Sequence, residues 1–187
     1  MNQNVQYGLY LLQKGRSDQC VLKDLLQLLK VQNPGKNVQF AYIEAKSSLI
    51  PHISLWENLQ VAIGGHNWKD FQDHLEPDWK ALSNLIRNPH VLVSDASDWE
   101  RLTVSLLKGL VTHSPNLLVD MNEELHSPFN LQSFKRILLK IAEKREIFLA
   151  SSNPSLWLDS CHSLVSRQGY EFKIEITQGL MNRKFGT

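Results

Sequence analysis

Residues 116–125, which read Asn116-Leu-Leu-Val-Asp-Met-Asn-Glu-Glu-Leu125, decide the fold. Their apolar run, 117–119, shows no polar alternation and ends in the carboxylate of Asp120. Such a run, preceded by Pro115, predicts a buried central strand of a parallel sheet. Ligands of these sheets bind beyond the carboxyl ends of the strands, which is where Asp120 would lie. The next residue is Met121, whose thioether can neither accept nor donate a proton.

Strand and helix patterns alternate along the rest of the chain. Strands are predicted at Val5–Leu12, Val38–Ala45, Ile147–Ala150, Leu164–Val165 and Tyr170–Ile176, and helices at Val21–Leu29, Ser54–Val61, Trp79–Asn88, Ser97–Leu110, Leu131–Lys144 and from Pro154. Two helices open with the capping-box pattern Ser-x-x-Glu, one at Ser54 and one at Ser97. Strands alternating with helices predict an α/β fold with a mostly parallel sheet.

The domain organisation follows from where the helices gather. We expect one domain whose core, 1–50 and 98–176, is interrupted by a helix-rich insert at 51–97 and followed by a weakly structured tail at 177–187. A chain of 187 residues is long enough to bury one sizeable core.

Composition and charge narrow the class of protein. The formal charge of +1 is spread along the chain, whereas a dedicated nucleic-acid binder concentrates basic residues, so we expect no nucleic-acid partner. Cys20 and Cys161 have neither metal-site spacing nor the pattern of a disulfide scaffold. No apolar run approaches the roughly 18 residues of a membrane span. We therefore expect a cytoplasmic protein that does not insert into a membrane and that lies at its inner face only through a partner.

Three separated stretches carry a resemblance to a known family. They are Leu49–Leu59, which reads LIPHISLWENL, then Arg101–Asp120, and then Ile147–Gly169. In this order and spacing they resemble the nucleotide-binding domains of ATP-binding cassette (ABC) transporters. The resemblance implies a P-loop NTPase-like (RecA-like) sheet with a helical subdomain insert. Because few residues separate Asp18 from Ala45, it also implies that the family's antiparallel β-lobe is truncated.

The phosphate-binding loop of that family falls on a degenerate stretch. Laying GxxGxGKST on Leu12–Cys20 retains Gly15, but Ser17 replaces the last glycine, Asp18 the lysine and Gln19 the hydroxyl that binds magnesium. A carboxylate beside a triphosphate replaces attraction with repulsion. The resemblance therefore implies that nucleotide is not bound, and no cofactor is expected.

The other nucleotide-site positions of the family are replaced as well. Its glutamine-loop residue falls on Ala45, its catalytic glutamate on Met121 and its switch histidine on Ser152. Of its signature motif only the serine remains, as Ser97. Asp120 alone survives from the magnesium site, so no catalytic residue and no metal are expected unless the protein is an active hydrolase.

A protein partner is the remaining expectation. In the family, the helical subdomain receives a helix of a membrane subunit, and the region corresponding to it keeps its length here. The resemblance makes His52, Trp56, Glu57, Trp68 and Trp79 candidate partner-binding residues. Tryptophan is enriched in interaction hot spots, although core packing explains tryptophans at helical spacing equally well.

These observations favour a non-catalytic ABC-ATPase-like protein, a pseudo-ATPase that acts as a docking, adaptor or regulatory subunit of a membrane-associated complex. Its partner would be a membrane subunit or an active ATPase homologue. One alternative is a divergent, active ABC-type ATPase powering transport, with Lys14 or Arg16 replacing the lost lysine and Asp120 holding magnesium. Another alternative is a sensor that binds a small molecule in the vacated cleft.

Overall fold

The computed structural model describes residues 8–13, 39–44, 48–64, 67–121, 127–168 and 171–176. The elements in these ranges are β1 (Gly8–Gln13), β2 (Phe40–Ile43), α1 (Leu55–Ile63), α2 (Trp68–Asp73), α3 (Pro77–Ser83), α4 (Asp98–Val111), β3 (Asn116–Met121), α5 (Pro128–Ile141), β4 (Glu146–Ser151), a 3-10 turn (Pro154–Leu156), β5 (Ser163–Gln168) and β6 (Glu171–Ile176). The predictions for the loop and helix at 14–38 and for the tail at 177–187 lie outside the described residues.

The strands form one sheet in the order β2-β3-β4-β1-β5-β6. β1 runs parallel to both β4 and β5, and β3 runs parallel to β4. β6 pairs with β5 in the antiparallel direction. The predicted α/β fold with a mostly parallel sheet is confirmed.

The described residues fall into two compact units. The first, the sheet unit, lies within Met1–Phe40, Pro115–Glu123 and Leu138–Thr187, and the second, the helical unit, within Ala41–Ser114 and Glu124–Ile137. Two of the four points where the chain passes from one unit to the other lie inside elements, one in β2 and one in α5. The division places α4 with the helices of the predicted insert, whereas the sequence pattern grouped it with the core.

Residues on both faces of β3 are buried in the sheet unit. Leu117, Leu118 and Val119 are each fully buried, although successive side chains of a strand point to opposite faces. This burial explains why the run shows no polar alternation. On one side Leu118 packs with Leu12, Phe148, Ala150 and Val165.

A side chain holds β1 just before its pairing with β5 begins. Pairing with β5 begins at Tyr10 and Ser163. One residue earlier, the Leu9 N–H donates to His162 Nδ1 at 2.9 Å, and the His162 N–H donates to the Leu9 carbonyl at 2.8 Å. A Cβ at Gly8 would lie 3.2 Å from His162 Cγ, so a glycine lets the ring approach.

The start of α1 is fixed by its caps and by a buried amide. Ser54 and Glu57 form the predicted capping box, and Gly64 closes the helix in the left-handed region, with φ 67°. The Asn58 side chain is fully buried and bonds both backbone polar groups of Ile50. The second capping box, at the start of α4, is also confirmed.

Two predicted helices differ from the structure. The helix predicted at Trp79–Asn88 is present but shorter at its end: α3 runs from Pro77 to Ser83. The residues that follow have another role: the carbonyls of Pro89 and Val91 accept the first N–H groups of α1, at 2.7 and 3.0 Å. Helix starts leave such donors unpaired within the helix. The helix predicted from Pro154 is a single 3-10 turn.

Candidate functional site

The carboxyl ends of three parallel strands lie in one row of the sheet unit. Met121 at the end of β3 is opposite Ser151 at the end of β4, and Ser151 is in turn opposite Gln13 at the end of β1. Asp120 is one position earlier, opposite Ala150. The structure therefore brings Asp120, Met121 and the Ser151–Ser152 pair to the edge where parallel sheets bind ligands.

The side chains at this edge offer little acid–base chemistry. Met121 is fully buried, and Ser151 is also fully buried, with its Oγ accepting the Asn153 N–H at 3.0 Å. Ser152 is exposed and carries a hydroxyl, and Asp120 is half-buried. Asp120 is thus the one carboxylate among these four positions, and the residue next to it holds its thioether away from water.

The remaining predicted nucleotide-site positions divide into two groups. Gly15, Asp18, Gln19 and Ala45 lie outside the described residues. Ser97 belongs to the helical unit, where its hydroxyl caps α4: it accepts the Glu100 N–H at 3.2 Å and lies 2.7 Å from Glu100 Oε2. The capping box accounts for this serine without any ligand.

Neither a metal cluster nor a membrane span is found within the described ranges. No group of three or more histidine, cysteine, aspartate or glutamate residues there is placed to hold a metal ion. No helix in that part of the chain is both long and apolar enough to cross a membrane.

The predicted partner-binding tryptophans are largely packing residues of the helical unit. Trp56 is only 4% exposed, and its ring centroid lies 5.7 Å from that of Trp68 and 5.5 Å from that of Phe71. A side chain so buried cannot present its indole to a partner, so direct contact through Trp56 is corrected to a core role. Trp68 and Trp79 are half-buried, and their contact with a partner stays a prediction.

The two charged or polar candidates lie at the surface. His52 and Glu57 are exposed. The Glu57 Oε2 accepts the Ser54 N–H at 2.6 Å, and this backbone hydrogen bond, with that of the Ser54 hydroxyl, lowers the pKa of the Glu57 carboxyl. Glu57 therefore carries a negative charge at the first turn of α1.

Two exposed apolar residues missed by the sequence patterns lie in the same region. Segments 50–54 and 91–94 pair with each other through a bridge between Ser54 and Leu92, and we call them the paired edge. On it, Ile50 is 37% exposed and Leu92 is 44% exposed. Neither stands out in the sequence, because isolated apolar residues carry no periodicity.

Structural comparison identifies the fold. No model of a protein family matches the chain, and no curated protein matches it. Among solved structures it is similar to an ATP-binding subunit of an ABC transporter (TM-score 0.68, 17% identity), with 96% of this chain and 82% of that chain covered. A similar result is obtained with cbiO1 from Clostridium perfringens, part of the ABC transporter complex cbiONQ (TM-score 0.68, 9% identity, 95% and 80% covered).

A third similar structure is a metal-chelate type ABC transporter in an inward-facing conformation (TM-score 0.66, 14% identity), with 92% of this chain and 73% of that chain covered. At these identities the likeness shows the fold. The chain has the fold of an ABC transporter ATP-binding subunit, as its sequence resemblance predicted.

Proposed function

We propose that this chain, which has the fold of an ABC transporter ATP-binding subunit, is a non-catalytic docking or regulatory subunit of a membrane-associated complex. The observation that carries the proposal is the pair Asp120–Met121 at the end of β3. The position at which the resemblance places the family's catalytic glutamate holds a methionine, which is fully buried. A thioether out of reach of water cannot activate a water molecule.

A magnesium–nucleotide centre does not fit the residues at this edge. Phosphoryl transfer depends on a metal ion, a cationic clamp on the phosphates and a residue that orients the nucleophile. Asp120 could contribute one metal ligand, but Met121 and Ser152 supply neither charge nor proton transfer. In the sequence, Asp18 adds a negative charge where the family has a lysine.

The paired edge supports the docking role. Interfaces combine an apolar centre with a polar rim. Here Ile50 and Leu92 supply exposed apolar surface, while His52 and Glu57 supply exposed polar groups beside it. The partner we propose is a membrane subunit or an active ATPase homologue, because ATP-binding subunits of this fold belong to transporter complexes such as cbiONQ.

A pair of matched leucine substitutions tests the docking role. Leu92 on the paired edge and Leu158 in the sheet unit are 44% and 42% exposed. We expect Leu92→Asp to abolish co-purification of the membrane subunit or ATPase with the tagged protein, and Leu158→Asp to preserve it. Equal recovery with both variants would contradict docking through the paired edge.

Nucleotide binding tests the non-catalytic part separately. A ligand that binds only the folded state must raise the melting temperature. We expect Mg-ATP at millimolar concentration to leave the melting temperature unchanged. The half-buried carboxylate of Asp120 is the feature that favours the alternative, a divergent active ATPase. A thermal shift that disappears in Asp120→Ala would establish that alternative instead.

A further inference from the structure

A pocket of about 370 Å³ lies within the helical unit, apart from the positions considered above for nucleotide. It is open to solvent and is lined by the end of α1, by α2 and the turn after it, by α3 and by the end of α4. The residues that line it are Ile63, Asp70, Phe71, His74, Leu75, Trp79, Val111 and His113. We propose that this pocket binds a small arylalkylamine, a molecule whose protonated amine is joined to an aromatic ring through a short alkyl chain.

The body of the pocket is apolar and aromatic. Ile63, Phe71, Leu75, Trp79 and Val111 are all half-buried, so each keeps part of its surface uncovered. Phe71 is backed by the buried Trp56, at 5.5 Å between ring centroids. This packing fixes one aromatic wall before any ligand arrives, and preformed apolar walls are typical of small-molecule sites.

The polar groups at the pocket are mainly hydrogen-bond acceptors. The Asp70 carboxylate lies at the start of α2, where its Oδ2 accepts a hydrogen bond from Asn67 Nδ2 and the Asp70 N–H donates to Asn67 Oδ1 at 2.9 Å. His74 Nδ1 lies 2.6 Å from the Asp70 carbonyl, which can only accept, so Nδ1 carries the proton. In the neutral ring Nε2 is then an acceptor.

The backbone of His113, which also lines the pocket, adopts an uncommon conformation. His113, which follows the end of α4, has φ 55°, in the left-handed region that is uncommon for residues other than glycine. Glycine is the usual residue at such a helix end. Histidine is one of the few other residues enriched in this region, and here its imidazole lines the pocket.

Volume and charge define the class of ligand. A cavity of about 150 Å³ holds benzene, so one of about 370 Å³ accommodates a one- or two-ring molecule with a short substituent. Among the lining residues that the structure describes, Asp70 is the only acid and none is a lysine or an arginine. Aromatic faces and a carboxylate together favour an organic cation. An ammonium group joined to an aromatic ring through a short alkyl chain fits both.

Three probes that share one ring system test the size and the charge. Naphthylmethylamine, naphthylmethanol and naphthoate differ in charge, being cationic, neutral and anionic. We expect the amine to bind with a Kd of about 1 mM or tighter, the alcohol about three- to fivefold more weakly because the ion pair is partly exposed, and the carboxylate most weakly. Ligand-observed NMR titration measures all three.

Substitutions locate the binding. Asp70→Asn should make the amine bind no more tightly than the alcohol, while Asp95→Asn, at an exposed acid of the same unit, should change nothing. Trp79→Ala should weaken every probe, and Val111→Trp should block the pocket by filling it. Circular dichroism verifies that each variant is folded.

Several results would overturn the proposal. They are the absence of saturable binding of any probe, unchanged binding in a folded Val111→Trp variant, and an affinity for the carboxylate equal to that for the amine. None of these measurements involves Mg-ATP or the paired edge, so a negative result for the pocket would not contradict the docking proposal. Likewise, a failure of the docking proposal would not contradict ligand binding in the pocket.

Discussion

Replacing Asn58 by alanine tests how the segment before α1 is held in place. The Asn58 side chain is fully buried. Its Oδ1 accepts the Ile50 N–H at 2.7 Å, and its Nδ2 donates to the carbonyls of Ile50 and Ser54, at 3.1 and 3.0 Å. One amide thus satisfies both backbone polar groups of Ile50.

The expected loss follows from these three bonds. Each is worth about 1 kcal/mol net, and more where a buried partner is left unpaired. The Ser54 carbonyl keeps the helical bond from the Asn58 N–H, at 3.1 Å, and Ile50 is 37% exposed, so water can reach part of what is lost. We expect Asn58→Ala to lower the free energy of unfolding by about 2–3 kcal/mol and the melting temperature by about 5–10 °C.

Asn58→Asp is the matched control because it keeps the shape. One carboxylate oxygen can still accept the Ile50 N–H, but the other would face two carbonyl oxygens. This repulsion and the burial of the group both raise the pKa of the introduced acid above its unfolded value. The loss of stability relative to the parent is then small at acidic pH and grows as pH rises through the folded-state pKa.

Urea unfolding followed by tryptophan fluorescence measures both variants, at about pH 5 and about pH 7.5. A loss below about 0.5 kcal/mol for Asn58→Ala, the size of an ordinary surface change, would refute the reasoning. So would a loss for Asn58→Asp that is the same at both pH values.

The remaining predictions concern the sheet unit. His162→Ala removes the acceptor of the Leu9 N–H and should cost about 1–3 kcal/mol in urea unfolding; a neutral result would show that water replaces the ring. Burial raises the pKa of Glu146, so its charged form is disfavoured in the folded state, and the stability it contributes at low pH is lost as pH rises through that pKa. Glu146→Gln should therefore raise stability at pH 7 by at most about 1 kcal/mol after allowing for its partial exposure, with less gain at pH 4; the same gain at both would contradict the assignment. Met121→Glu buries a carboxyl group and should cost at least about 2 kcal/mol without conferring ATPase activity, and a stable, active variant would argue against the non-catalytic proposal.

Elements fixed by local chemistry could be predicted from the sequence. The run 117–119 reads as a central strand because burial on both faces removes alternation, and Ser54 with Glu57 reads as a helix start because the capping box is a four-residue pattern. The resemblance to ABC nucleotide-binding domains added the architecture that such local patterns do not specify.

Features that depend on distant contacts could not be predicted. Trp56 suits an interface or a core equally well, and only the neighbouring rings of Trp68 and Phe71 decide for the core. α3 ends at Ser83, and the carbonyls of Pro89 and Val91 beyond it accept hydrogen bonds from the distant start of α1. The pocket has no sequence signal, since it is formed where the ends of several helices meet.

The central place of β1 in the sheet bears on the order in which the protein is made and folds. Leu9 meets His162 across a separation of 153 positions, and both neighbours of β1 are synthesised late, since β4 begins at Glu146 and β5 at Ser163. The residues of the helical unit between Ala41 and Ser114 are contiguous and can pack as they leave the ribosome. The apolar strand β1 therefore stays without both of its neighbours in the sheet until the residues from Glu146 onward have been synthesised.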